Sequence, residues 1–361
     1  SILTGAAGGL EYAIGLMDLW GTSLIRKNKT SQKPWDMLAL MRENQVEHPM
    51  AKLAEKDVSQ AFTDLLSALK QNNLIYDGYE RLNLKVLTPF GTIHPTFRAP
   101  LSLVENAKAF RSKPETLILD FKGLREFSAR FFCEMLNKKW PHLESEVIEF
   151  PGTRTRAEVL TPFLAQQMET EQVQKKFIRR VRPLVKNKTC LGLPAMIGLQ
   201  SSEDIRQRIE QALDISVFEI PTSPVSVPGM RLKEALLKCL HGSSVKIFSN
   251  QRINRVIEAA DNQFLFETGS RDNLNRIRSK AVVIATGRFL SKGLVADRKK
   301  IIEPLFGLDV SQPGAREKWH DKEYFCPNGH AVNQAGIETD AAFRPVDDQG
   351  RPVYQGLFAA G

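Results

Sequence analysis

The sequence predicts an α/β fold on a mainly parallel sheet, with an inserted α/β domain and a small antiparallel meander. Three observations carry this. Between residues 116 and 220, short apolar runs alternate with amphipathic stretches of helix length, the pattern of strand–helix–strand units with right-handed crossovers. Residues 252–258 and 263–267 alternate apolar and polar side chains on either side of Asp261-Asn262, as half-buried strands joined by a turn do. Residues 281–287 read as a short β-branched strand, buried on both faces, that stops at Ala285, Thr286 and Gly287. Residues 356–361 repeat that logic with Ala359, Ala360 and Gly361. A buried strand ending in a small-residue loop is how an open α/β sheet presents a crevice to a dinucleotide. An ordinary core strand with a tight turn gives the same pattern.

The elements follow in order. Gly5, Gly8, Gly9, Gly15 and Gly21 mark an N-terminal loop that suits either backbone contact with a flat ligand or a flexible lead-in. Ala61, Leu65, Leu66 and Leu69 have helical spacing over residues 58–69, and Asn72-Asn73 end that helix. Residues 116–121 form a strand, and residues 124–138 a helix with Leu124, Phe127, Phe131 and Met135 on one face. Residues 147–150 return as a strand closed by Pro151-Gly152. A long basic helical segment spans about 157–186. The second unit is a strand at 190–194, a helix at 202–213 and a strand at 216–220 stopped by Pro221. A helix over 231–240 and a strand at 245–248 lead to the meander.

A chain of 361 residues is long for one core, so two or three domains are expected. Its 42% hydrophobic and 25% charged residues are those of an ordinary globular protein, and no apolar run reaches the length of a membrane span. The start at Ser1, with residues 1–5 resembling the end of a strand, and the stop at Gly361 in mid-motif suggest an interior piece of a longer protein. The four cysteines, Cys133, Cys190, Cys239 and Cys326, are scattered, which fits free thiols in a reducing compartment. Cys326 and His330 have no second ligand pair, so no zinc or iron–sulfur site is expected. The net charge is +9, concentrated at Lys175, Lys176, Arg179, Arg180, Arg182, Lys186 and Lys188. Only Phe177 interrupts that run, so it offers no stacking platform for nucleic acid. A solvated helix face, a membrane surface or a partner subunit suits it better.

Beyond these patterns, several motifs resemble the B-subunit family of anaerobic glycerol-3-phosphate dehydrogenase, a family of flavoproteins. The likeness is strongest from Ala281 to Val310, in Gly293-Leu294-Val295-Ala296, Glu303-Pro304 and Gly307-Leu308-Asp309-Val310. It continues in Leu87-Thr88-Pro89-Phe90-Gly91-Thr92, Leu193-Pro194-Ala195 with Gly198-Leu199, Ile220-Pro221-Thr222 with Pro224, Pro228-Gly229-Met230-Arg231-Leu232, and Gly336-Ile337-Glu338-Thr339-Asp340 with Arg344-Pro345. The resemblance covers nearly the whole chain. It lacks the family's glycine-rich opening turn and its closing glycine-rich segment with a final helix. Ala13, Ile14 and Leu16 stand where the family often has serines.

The resemblance implies a Rossmann-like flavin-binding domain, incomplete here, made of residues 1–84, 245–290 and 335–361. Residues 85–244 and 291–334 would form an α/β cap or substrate domain. It implies FMN or FAD as cofactor and glycerol 3-phosphate as substrate, with electrons passing toward a quinone. The implied partners are an FAD-bearing catalytic subunit and an iron–sulfur membrane-anchor subunit, in a complex on the inner face of the cell membrane. A non-catalytic electron-transfer or scaffold subunit with a degenerate pocket, or a stand-alone FAD-dependent oxidoreductase on another anionic substrate, shares these features. The fragment alone is expected to be inactive and to hold flavin weakly.

The expected cofactor-binding residues are Gly15, Asp18, Ala285, Thr286, Gly287, Ala360 and Gly361. Asp18 suits a helix cap equally. For catalysis, His94 is a candidate to take a proton from a carbinol as hydride leaves, or else a satisfied histidine at a domain seam. Arg344 is a candidate to hold a phosphate or a reduced, anionic flavin, or else a surface ion pair.

Overall fold

The computed structural model describes residues 2–4, 8–22, 31–44, 48–261, 263–270, 273–326 and 329–360. Gly5, Asn262 and Gly361, singled out above, lie outside the described residues. The chain opens with β1 (Ile2–Thr4), α1 (Pro34–Glu43) and α2 (Glu55–Gln71). Four short strands follow, β2 (Tyr76–Asp77), β3 (Leu84–Leu87), β4 (Ile93–Thr96) and β5 (Ala99–Pro100), then α3 (Leu101–Ser112). Strands and helices next alternate: β6 (Thr116–Phe121), α4 (Ala129–Leu136), β7 (Leu143–Ile148), α5 (Thr161–Met168), α6 (Glu171–Val181), β8 (Cys190–Pro194), α7 (Ser202–Leu213), β9 (Ser216–Ile220) and α8 (Val227–His241). The remainder is strand and loop: β10 (Ile247–Ser249), β11 (Ile253–Ala260), β12 (Gln263–Ser270), β13 (Asn273–Ser279), β14 (Val282–Ile284), β15 (Val295–Ala296), β16 (Ile301–Ile302), β17 (Val310–Ser311), β18 (Gly336–Ile337) and β19 (Leu357–Ala359).

Two compact units result, one of Gly9–Ser244 and one that joins β1 to the chain from Val245 onward. These units do not break at residues 84, 290 or 334, where the sequence suggested boundaries. Residues before 84 belong with those after it because Leu69, Leu74 and Tyr76 share one buried cluster with Leu232 and Ala235 of α8. Residues 291–334 join the end of the chain through Leu308, which shares a buried cluster with Ile284 and Leu357, and through the pairing of Val310 with Ile337.

The Gly9–Ser244 unit holds a four-stranded parallel sheet in the order β7-β6-β8-β9. Every residue of β6 and β8 is buried, as parallel strands covered on both faces require. Ile118 of β6 packs with Phe132, Leu136 and Trp140 on one face. Leu117, Leu119 and Phe121 point the other way, toward Leu164, Phe177 and Ile205 of α5, α6 and α7. Gly192 in β8 is required by close approach: an added Cβ would lie 2.5 Å from Ile118 Cδ1 and 2.7 Å from Phe218 Cζ.

The structure corrects several expected spans here. The helix placed at 124–138 is only α4, and its buried face is Ala129, Phe132 and Leu136, while Phe131 and Met135 are exposed. Gly123 has φ +85°, which no helix accepts. Ser128 caps α4 by accepting from the Phe131 N–H at 3.3 Å. The basic segment at 157–186 is two helices, broken where the Glu169 carboxylate accepts the Leu199 and Gln200 N–H groups at 2.6 and 2.7 Å.

The second unit contains the expected antiparallel meander, enlarged to three strands in the order β11-β12-β13. The third strand takes up Arg276 and Arg278, where the sequence reading placed no strand. Phe264 and Phe266 of β12 lie in a cluster with Ile284, Leu308 and Leu357. That cluster anchors a parallel pair in which Val282, Val283 and Ile284 of β14 face Leu357, Phe358 and Ala359 of β19. The strand is not buried on both faces as expected: Ile284 is 4% exposed but Val283 is 63% exposed. Among the described residues, no helix is long and apolar enough to cross a membrane.

Candidate functional site

The two small-residue edges meet. Because β14 and β19 run parallel and in register, Ala285 and Ala360 leave the sheet side by side. The Ala360 N–H donates to the Ile284 carbonyl at 2.9 Å, and the Ala359 N–H donates to the Phe343 carbonyl at 2.9 Å. Ala285, Thr286, Gly287 and Ala360 are all exposed. Gly287 turns with φ +69°, a conformation that favours glycine.

The loop after this edge is held by its own backbone. Ser291 Oγ donates to the Thr286 carbonyl at 2.6 Å. An added Cβ at Gly293 would collide with the Gly287 carbonyl and stand 2.6 Å from Thr286 Oγ1. Arg288 anchors the turn by donating to the Val332 and Asn333 carbonyls at 2.7 and 2.9 Å. Ser291 and Gly293 were not among the expected site residues. Their signal was the small-residue spacing Gly287-x-x-x-Ser291-x-Gly293. Glu303, 2% exposed, belongs to the same scaffold. Its carboxylate accepts the Leu305 and Phe306 N–H groups at 2.8 and 2.7 Å, so the Glu303-Pro304 motif is a turn organiser.

Arg344 is clasped by protein partners, with its side chain 28% exposed. Its Nε and Nη2 lie 2.8 and 2.7 Å from Asp340 Oδ2, and its Nη1 donates to Gln355. The Asp340 carboxylate also accepts the Ala342 and Arg344 N–H groups at 2.9 Å each. Burial works against the charge of Asp340, but these hydrogen bonds and the guanidinium hold its pKa below the ordinary value. Seven residues on, the arrangement recurs: Asp347 accepts the Gln349 and Arg351 N–H groups at 3.0 and 2.9 Å and pairs with the Arg351 guanidinium at 2.9 Å. Arg344 is therefore an ion pair inside a repeated turn.

The other expected residues lie in the Gly9–Ser244 unit. Gly15 has φ +72°, and an added Cβ there would meet Pro228 Cβ at 2.7 Å, so α8 packs directly on this loop. The Gly15 carbonyl accepts the buried Tyr76 hydroxyl at 2.7 Å. Met17 runs beside residue 98: its N–H donates to the Arg98 carbonyl at 2.9 Å, and its carbonyl accepts the Arg98 N–H at 3.0 Å. This pairing places Asp18 against His94 of β4, with Oδ2 and Nε2 2.9 Å apart. Asp18 thus caps no helix. Its hydrogen bond raises the His94 pKa, against a smaller opposing effect of burial. The side chains are about half and a third exposed, so the pair is a solvent-accessible imidazole–carboxylate couple with Nε2 bonded to Asp18.

The edge at residues 285–287 and 360 suits a flavin nucleotide in one respect that can be read from the chain itself. It carries no side chain larger than threonine, is exposed, and lies at the carboxyl ends of two parallel strands.

Comparison with known proteins bears on the same question. The chain is 24% identical to the B-subunit of anaerobic glycerol-3-phosphate dehydrogenase from Vibrio vulnificus strain YJ016, covering 98% of this chain and 81% of that protein. It is 26% identical to the same protein from strain CMCP6, with coverage of 98% and 81%. A probable B-subunit of the same dehydrogenase from Halobacterium salinarum strain R1 is 29% identical over 79% of this chain and 69% of its own length. A solved ornithine N-hydroxylase from Kutzneria sp. 744 is 12% identical with a TM-score of 0.16, covering 71% of this chain and 50% of that one, and carries no weight. The family described as FAD binding domain matches residues 3–361, and the chain, a flavoprotein on that ground, belongs to this FAD-binding family.

Proposed function

We propose that the chain is the flavoprotein subunit of a glycerol-3-phosphate dehydrogenase complex. It would oxidise glycerol 3-phosphate to dihydroxyacetone phosphate and pass the electrons toward a quinone. One observation carries the reading: parallel pairing of β14 with β19 brings the two small-residue edges together, in an FAD-binding chain whose relatives carry the dehydrogenase name.

Ala285, Thr286, Gly287 and Ala360 would hold the flavin. The small side chains let backbone groups approach it, and the Thr286 hydroxyl is a donor of the right kind. When bound, the flavin supplies a two-electron acceptor for hydride. In the Gly9–Ser244 unit, His94 is a group able to accept a proton. With Nε2 turned to Asp18, Nδ1 is the atom left to accept a proton, and the carboxylate steadies the imidazolium that forms. Flavin binding is assigned to the unit containing residues 245–360, and the cap or substrate role to Gly9–Ser244. An FAD-bearing catalytic subunit and an iron–sulfur subunit at the membrane would complete the complex.

The test is direct. Purified within its complex, the protein should carry flavin, identified as FAD or FMN after release, and should reduce a dye in response to glycerol 3-phosphate. A correctly folded, colourless protein that takes up no added flavin would overturn the proposal.

A further inference from the structure

At the carboxyl end of β7, an outer strand of the parallel sheet, lies a cavity of about 280 Å³ lined by Pro151, Gly152, Lys176, Arg179 and Arg180. One wall is the turn at Pro151-Gly152. Gly152 has φ +89°, and an added Cβ would meet nothing within 4 Å, so the glycine serves the turn and leaves that wall open. The other wall is α6.

The cations on this helix are not equivalent. Lys175 pairs with Glu171 at 2.6 Å and does not line the cavity. Arg180 donates to the Glu149 carbonyl, with the Glu149 carboxylate 3.8 Å away. Lys176 and Arg179 line the cavity, and among the described residues neither has a carboxylate within ion-pair distance. The helix dipole favours cations in the last turn, which accounts for Arg179 and Arg180. It accounts neither for Lys176, in mid-helix, nor for the concave wall these groups share.

Cations converging on a concavity concentrate potential for a multiply charged anion, and a guanidinium matches phosphate oxygens with parallel N–H groups. The size is close to the lower end of small-ligand sites, roughly 300 Å³. We propose that this cavity binds a phosphate group, carried by a soluble phosphate monoester or by a lipid headgroup. The inference stands on this unit alone and does not depend on the flavin reading.

The experiment titrates the full chain with inorganic phosphate by calorimetry. In parallel it measures sedimentation with phosphatidylcholine vesicles, with and without phosphatidic acid. Lys176→Gln with Arg179→Gln should weaken binding by about tenfold or more, the loss of one or two charge-assisted hydrogen bonds. Lys175→Gln should leave it within about twofold. Both variants should melt at the temperature of the parent, since the replaced groups face solvent. Saturable phosphate binding with this pattern supports a soluble ligand, and vesicle binding with the same pattern but no phosphate binding supports a headgroup. Absence of both, or equal weakening by Lys175→Gln, overturns the proposal.

Discussion

The molecule contains two parallel strand arrangements that end differently. In the Gly9–Ser244 unit, the carboxyl ends of the inner strands are closed by the protein's own side chains. Asp120 takes the Phe121 and Ala129 N–H groups at 2.7 and 3.1 Å. Glu219, fully buried, takes the Met196 and Ile197 N–H groups at 2.8 and 2.7 Å, together with the Arg231 guanidinium and the Ser102 hydroxyl. In the other unit, β14 and β19 end in exposed small residues, and among the described residues no carboxylate accepts their N–H groups; the Ser291 hydroxyl touches only the Thr286 carbonyl there. Both have the strand polarity that binds ligands at the carboxyl end. What separates them is whether carboxylates of the chain already occupy the donors there. A closed edge is structural, and an open one is available.

Four changes test this contrast, in descending order of effect. Glu219→Gln strands a buried guanidinium and should destabilise the first unit by about 3–5 kcal/mol in urea unfolding. Burial favours protonation of Glu219, but Arg231 and the converging hydrogen bonds hold its pKa below the ordinary carboxylate value. The stability it contributes is therefore present above the unfolded pKa of about 4.3 and lost as pH falls through the lower folded value. A variant as stable as the parent would break the idea of a self-closed edge.

Gly287→Val forces a β-branched residue into a left-handed turn, costing about 1–2 kcal/mol, and fills the open edge. Flavin retained on purification should fall by about tenfold or more, a shift near 1.4 kcal/mol in binding. Unchanged flavin content would break the comparison from the other side.

Asp18→Asn removes the carboxylate that raises the His94 pKa, so the ring protons should titrate closer to 6.5. The pair's contribution, at most about 1 kcal/mol for so exposed a couple, is present in the parent below the unfolded pKa and lost as pH rises through the folded one. NMR titration checks the first statement, and a stability profile from pH 5 to about 9 checks the second. The smallest effect belongs to Lys175→Ala on α6, where the exposed i,i+4 pair with Glu171 should leave the urea midpoint unchanged.

Strands at 116–121, 190–194 and 216–220 and the helix at 202–213 were legible because burial leaves them runs of apolar residues or a clean helical period. The helix at α4 was misphased because Phe131 and Met135 are apolar yet face solvent, so hydrophobicity pointed to the wrong side. β13 was missed because Arg276 and Arg278 dominate it. Its order comes from backbone pairing to β12, which composition does not encode. At the candidate site, the small-residue edges could be read separately. The Ile284–Ala360 hydrogen bond and the Asp18–His94 couple could not, since each joins residues far apart in sequence. Arg344 looked available because the sequence shows its charge and hides its clasp to Asp340.

The pairing of Val282 with Leu357 also has a kinetic consequence. Everything between these partners must be made and brought back before the open edge exists, and such non-local contacts form slowly. During synthesis the meander of β11, β12 and β13 can assemble from neighbouring sequence. The edge beside it has to wait until β19 has been made, so a cofactor taken up there would arrive only after that strand.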